Sequence, residues 1–398
     1  MSELTTKKGG TISPHTSDIS SAGSPLRIIL GPIAAQVAFV FELTLVPLIL
    51  PAMMVEFALT MGELAHVFTS YGIAVAVGVL LGGWLGDMFD ARRIFIVGVV
   101  LFMMGSMATA AAETYFALIA GRVIQGLGGG VFAPLVPVLL TRASSERPGR
   151  VLIVWGSIAG YIAAFGPILF GAFPSGDGWR QAFILNALAA LIALLVVASN
   201  GHHRTCSPPG HRQGRRSLLR SPEIWLVYLY VFFTYGSITY YLFLVPNLLS
   251  ENASGAAGIG VALTLLWLTF SGASTLLRNL VDESHLWTIM LAAPILIAMG
   301  LLAAYFNGNV VLRISSAMLV GAGLACSNAP STLLILRFAP NDSRAFAASL
   351  DITFARLGGI AMVALLAGSQ FVIAASSVCF ACVAAAGCAQ SARILTSE

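Results

Sequence analysis

Glu42, Arg122, Gln125, Asp351 and Arg356 stand in stretches that are otherwise almost wholly apolar. Glu42 lies fifteen residues beyond Arg27 and is the only carboxylate deep within an apolar stretch of the first half of the chain; Arg122 is the only arginine so placed there. A charged side chain at the centre of a membrane helix costs about 2.5–3.5 kcal/mol on insertion scales, so each needs a partner or a water-filled cavity. Burial favours the neutral form of a carboxyl and a neighbouring guanidinium favours the charged form. These residue types therefore suit the taking up and giving up of a proton. No Gly-rich phosphate loop, zinc-ligand set or nucleophile–base constellation stands out. The C-x-x-C of Cys379 and Cys382 lies in an apolar run without a nearby histidine and reads as packing. The chain is read as neither an enzyme nor a metal protein, with no cofactor.

What holds such residues follows from composition. Of 398 residues 58% are hydrophobic and 10% charged, with mean hydropathy +0.89. Soluble domains carry about 25% charged residues. A soluble protein of this composition has too few polar groups to cover its surface, so the lipid bilayer is the expected solvent. Six apolar stretches of membrane-crossing length fill the first half (28–50, 64–86, 94–112, 116–140, 150–172, 181–199) and six the second (223–247, 257–280, 286–306, 310–336, 345–367, 369–391). They are continuously apolar rather than alternating, which selects helices over barrel strands. The expected fold is an all-α membrane protein of twelve helices in two six-helix, pseudo-symmetric halves. Residues 1–25 read as a disordered cytoplasmic tail, 26–200 as the first half, 201–221 as a basic cytoplasmic linker, 222–392 as the second half and 393–398 as a short cytoplasmic tail.

With the N-terminus inside, all 21 lysines and arginines fall in cytoplasmic segments except Arg122, Arg180, Arg313 and Arg356. Glu56, Glu63, Glu113, Asp177 and Glu251 fall on the opposite side. This bias gives an even number of spans with both termini cytoplasmic. The net charge of +4 is thus a topology signal, and no nucleic-acid partner is expected.

Several motifs sit on this frame. Between the second and third spans runs Gly82-Gly83-Trp84-Leu85-Gly86-Asp87-Met88-Phe89-Asp90-Ala91-Arg92-Arg93. It resembles the G-x-L-a-D-r-x-G-r-k loop of the major facilitator superfamily, with Gly83, Leu85, Asp87 and Arg92 in register, Asp90 in place of the second glycine and Ala91 in place of a basic residue. Arg122-Val-Ile-Gln125-Gly126-Leu-Gly128 resembles the R-x-x-Q-G-x-G motif of proton-coupled members. Gly156, Gly160, Gly166, Pro167 and Gly171 resemble the fifth-span motif of the antiporter branch, with Phe170 replacing a glycine. The stretches Trp179 to Asn186 and Ala348 to Gly359 resemble the starts of the sixth and eleventh spans of drug:proton antiporters.

The resemblance covers essentially the whole chain and implies a twelve-span drug:proton antiporter-like exporter. It places the first and fourth spans along one central cavity, so Glu42 and Arg122 are expected as neighbours. Together with Asp351 and Arg356 they are the expected proton-coupling residues. Gly83, Asp87, Arg92 and Arg93 are the expected gate at the seam between the halves. Gln125, Gly126, Gly160, Gly166 and Pro167 are expected to shape the helices, with the fifth span packed against the eighth. Tyr235, Tyr241 and Asn328 are candidate substrate contacts. The implied function is proton-coupled export of a small organic compound, a drug or a secreted metabolite such as a siderophore, by a monomer in a bacterial inner membrane. Uptake or facilitated diffusion of a metabolite is the alternative, and a non-transporting membrane sensor a further one.

The topology is directly testable. Reporter fusions after residues 60, 115 and 252 are expected to read outside, and those after 145 and 210 inside; a consistent inversion overturns the orientation.

Overall fold

A computed structural model describes residues 25–143, 160–166, 178–199, 218, 220–250, 255–277, 285–305, 310–340 and 344–397. Every long element among them is a helix, and there is no strand. The helices of the first half are α1 (Pro25–Glu56), α2 (Met61–Met88), α3 (Ala91–Ala110), α4 (Tyr115–Phe132), its short continuation α5 (Leu135–Ala143) and α6 (Gly178–Ser199). Those of the second half are α7 (Pro222–Ser250), α8 (Gly255–Leu277), α9 (Leu286–Tyr305), α10 (Val310–Phe338), α11 (Arg344–Leu366) and α12 (Phe371–Ser397). Eleven helices among the described residues are long and apolar enough to cross a membrane, with α4 and α5 counted as one span. The fifth expected span is represented by helical residues 160–166. The expected tail 1–25, apart from Pro25, and most of the linker 201–221 lie outside the described residues.

Lipid offers the backbone no hydrogen bonds, so each segment must satisfy its own, and only the helix does this within one strand of chain. Polar caps mark where helices leave the bilayer. Thr60 and Glu63 form a reciprocal capping box at the start of α2, with Thr60 N–H donating to Glu63 Oε2 at 2.9 Å and Glu63 N–H to Thr60 Oγ1 at 3.3 Å. Asp90 caps α3, accepting from the Arg92 N–H at 3.1 Å, and so gives the residue standing where the loop motif has a glycine a local task. Thr114 caps α4. Some ends lie beyond the expected ones. α1 continues through Pro47 and Pro51 to Glu56, where the apolar pattern ends at 50, because a membrane helix tolerates proline when neighbouring helices satisfy the freed carbonyl. The fourth span does break, at Ala133 and Pro134, between α4 and α5.

The packing repeats from half to half. α1 lies against α6 as α7 lies against α12; α2 against α4 as α8 against α10; α3 against α4 as α9 against α10; α3 against α6 as α9 against α12. The seam between the halves is made chiefly by α2 against α11, with α1 against α7 and α8. Along it a side chain at Gly72 would meet Ile360, and one at Gly83 would meet Ser349 Oγ at 3.3 Å. Inside the first half, α4 approaches α2 so closely that a Cβ on Gly126 would stand 2.5 Å from the Tyr71 carbonyl oxygen, a position only glycine fills. The outward faces carry large apolar side chains such as Phe116, Leu365, Phe380 and Val383, each at least 70% exposed, as a lipid-facing surface requires.

Candidate functional site

Arg122 and Gln125 are one helical turn apart and share a face of α4. Glu42 projects from α1, Ser106 from α3 and Asn186 from α6. The packing brings these five together in one buried network, each no more than 2% exposed. Arg122 Nη1 donates to Glu42 Oε1, forming a salt bridge, and to Gln125 Oε1 at 2.7 Å. Gln125 Nε2 donates to Glu42 Oε2 at 2.8 Å and to Ser106 Oγ at 2.9 Å. Asn186 Nδ2 donates to Glu42 Oε2 at 3.0 Å. The Glu42 carboxylate therefore receives three donors from two neighbouring helices. The guanidinium of Arg122 lies 4.3 Å from the ring centre of Tyr71 on α2 and 5.6 Å from that of Phe183 on α6, so its faces are covered by π-systems as its edge is taken by the carboxylate.

Beside the network, at the seam, is a cavity of about 70 Å³. Glu42, Tyr71 and Arg122 line it from the first half, and Thr239, Leu242, Arg356 and Ile360 from the second. Arg356, on α11, faces Phe39 on α1, its guanidinium 5.8 Å from the ring centre. Asp351, also on α11, does not join it; its Oδ2 accepts from Thr332 Oγ1 on α10 at 3.1 Å. Five residues along one helix put the two side chains on diverging faces.

The other sequence candidates lie elsewhere. Tyr235 donates to Asn328 Oδ1 at 2.6 Å, pairing α7 with α10. Tyr241 is buried in the second half, where its hydroxyl accepts from Ser316 at 2.8 Å. None of the three lines the cavity beside Glu42. Gly83 lies at the seam, whereas the Arg92 guanidinium donates to the Val197 carbonyl near the end of α6, inside the first half; Arg93 is exposed at the start of α3. Asp87 stands in the last turn of α2, and its side chain lies outside the described residues, as does Pro167. A Cβ at Gly160 would come 2.6 Å from Ser271 Oγ on α8, while one at Gly166 would come 2.9 Å from Thr44 Oγ1 on α1.

Asn186 stood in the sequence only as the last residue of the sixth-span motif, with no role at the site, and Ser106 had no place in any motif. Asn186 had a legible signal: an amide seven residues after Trp179 on an otherwise apolar helix, hence on the same face. A second polar cluster closes the opposite end of α1. Glu56 accepts from Trp179 Nε1 and from Arg180, whose other nitrogen donates to the Ala110 and Ala112 carbonyls at 2.8 Å. It fastens the end of α1 to the end of α3 and the start of α6.

The family described as Major Facilitator Superfamily matches residues 33–363. Among curated relatives, the Methylenomycin A resistance protein of Bacillus subtilis is 25% identical over 366 residues, covering 84% of this chain and 77% of the relative. A Multidrug resistance protein B homolog of Mycobacterium tuberculosis is 34% identical over 171 residues, 43% of this chain but only 31% of the relative. The Tetracenomycin C resistance and export protein of Streptomyces glaucescens is 29% identical over 192 residues, with 35% of its length covered. The chain thus spans about a third of the length of these last two relatives. The structure superposes on a D-xylose-proton symporter with TM-score 0.76 at 15% identity, covering 93% of this chain and 97% of the other. It superposes on a nucleoside transporter with TM-score 0.72 at 13% identity, covering 93% and 99%. At these identities the superpositions show the fold.

Removing one partner of a buried ion pair leaves the other charge uncompensated, at a cost of about 3–5 kcal/mol. Arg122→Leu is therefore expected to lower the thermal unfolding midpoint of the detergent-solubilised protein markedly, and Glu42→Leu with Arg122→Leu to restore much of the loss. A double variant as unstable as the sum of the singles would show that the pair does not act as a unit.

Proposed function

Because the chain belongs to the major facilitator superfamily, we propose that it is a proton-coupled secondary transporter that exports a small organic compound by alternating access. The observation that carries the reading is the buried Glu42–Arg122 pair opening onto a cavity lined by both halves. A rocking of one half against the other changes the access of water to Glu42 and the hold of Arg122 on it. With Arg122, Gln125 and Asn186 in place the carboxylate is stabilised as the anion. When those donors withdraw in a dry site the neutral acid is favoured, and Glu42 takes up a proton; their return expels it. Substrate binding and proton binding thus exclude or require one another through the same helices, which is a coupling free energy between two sites.

The direction of transport is proposed from the relatives, whose names speak of resistance and export. The cargo is a drug-like compound or a secreted metabolite. The protein works as a monomer in a bacterial inner membrane with both termini cytoplasmic. The stretch from Gly83 to Arg93 is the proposed cytoplasmic gate, since Gly83 already meets α11 at the seam. Asp351, held by Thr332, is the second proton site in line.

Two experiments test this. Glu42→Gln is expected to abolish export driven by a pH gradient and substrate-induced proton release from the purified protein, while downhill movement of a neutral substrate persists. Proton release equal to the parent's would move the coupling site, with Asp351 next. Accumulation of substrate inside cells that express the parent would instead favour uptake. Separately, Asp87→Asn is expected to slow turnover several-fold with correct insertion and unchanged substrate affinity; unaltered turnover removes the gate from this loop.

A further inference from the structure

The cavity at the seam carries more positive than negative charge. Three ionic groups line it: Glu42, Arg122 and Arg356. The first two neutralise one another. Arg356 forms no salt bridge and donates no hydrogen bond among the described residues; it lies over the face of Phe39 and within electrostatic reach of Glu42, Tyr71 and Tyr235. The remaining acid of α11, Asp351, is turned to Thr332. Tyr71, which also lines the cavity, is an uncharged neighbour under Arg122. Charged groups within membrane spans are nearly always paired or set beside water. A ring face attracts a guanidinium but gives its five N–H donors no acceptor, and Glu42, the carboxylate within reach, is already held by Arg122.

From this we infer that Arg356 is the docking point for an anionic group of the cargo, a single carboxylate, carried on an apolar body. The inference rests on the transport reading of this cavity and names its substrate class. One uncompensated cation matches one negative charge, and the planar fork of a guanidinium suits the two oxygens of a carboxylate. Val46, Phe68, Leu242 and Ile360 supply an apolar wall beside it. At about 70 Å³ the cavity is far smaller than the roughly 300–1,000 Å³ of a drug-sized site. In this state it seats the polar head, and the body finds room as the halves part. Glu42 is kept from competing for Arg356 by its three donors, so the anion site and the proton site share a wall and remain distinct.

The test uses a matched pair of probes on the full chain in nanodiscs at pH 7 without a pH gradient. Dansylglycine carries the carboxylate, dansylglycinamide is its neutral counterpart, and empty nanodiscs correct for lipid binding. Dansylglycine is expected to bind at least tenfold more tightly. Arg356→Gln is expected to bring it down to the amide's affinity without changing the amide's, and Arg356→Lys to keep part of the preference as a point charge. Equal affinity for the two probes in the parent, binding of neither, or a preference that survives Arg356→Gln overturns the inference. If Arg356→Gln does not fold, the parent's comparison and the lysine variant decide it. Retained proton release in Glu42→Gln sinks the coupling mechanism alone when the parent prefers the carboxylate probe, while absence of that preference in a parent whose coupling depends on Glu42 sinks this assignment alone.

Discussion

Glu42 and Arg122 bear opposite charges at a buried position beside a small cavity, and removing either would strand the other without its counter-charge. The first half is arranged to keep them together. Arg122 needs a helix that comes close to α1, α2 and α3 at once, and the glycines that follow it in α4 permit this: Gly126 lets in the backbone of α2, and Gln125 spans to Ser106 on α3 and Glu42 on α1. Asn186 brings α6 to the same carboxylate. A pair this enclosed contributes little net stability against an apolar alternative. Its retention makes sense as a device whose charge state depends on how the helices sit.

The seam gives that device something to respond to. Within each half the helices repeat one set of neighbours, whereas across the seam α2 and α11 meet along their length, from Gly72 near Ile360 to Gly83 near Ser349. Small residues allow the two surfaces to slide or part with little repacking, since bilayer-embedded helices associate through close contact rather than through exclusion of water. Elements at the end of the bundle where α1 finishes are tied more firmly. The Glu56–Trp179–Arg180 cluster binds α1 to α3 and α6, making the first half a single lever. The cavity lies where that lever meets the second half, and its lining is drawn from both.

Charge is distributed unevenly across this joint. The first half contributes a neutral pair and the second Arg356, which forms no salt bridge among the described residues. A moving part that carries a net charge through low-dielectric surroundings needs a counter-ion in at least one of its states. In the mechanism proposed above, that requirement links the chemistry of the cargo to the chemistry of the proton, each compensating a different charge in the same small space.

Composition and the run of apolar stretches alone pointed to the bilayer as solvent, to helices and to the order of the spans, because a bilayer imposes length rules that can be read one segment at a time. The charged residues of the site were also legible, since Glu42 and Arg122 are conspicuous against an apolar background. Their ends and partners were not. Whether a proline stops a membrane helix depends on its neighbours, so α1 ran on to Glu56 while the fourth span broke at Pro134. Asn186 closes a motif in sequence and Ser106 is an ordinary polar residue there; only helix packing made Asn186 a donor to Glu42 and Ser106 an acceptor for Gln125. Tyr235, Tyr241 and Asn328 looked equally able to meet a substrate, yet hydrogen bonds between helices turned Tyr235 to Asn328 and Tyr241 to Ser316. Asp351 and Arg356 were grouped by the eleventh-span motif, and tertiary structure sent one to α10 and the other to the cavity. One helix fixes which face a residue occupies, but which charge it meets is set by helices far away in the chain.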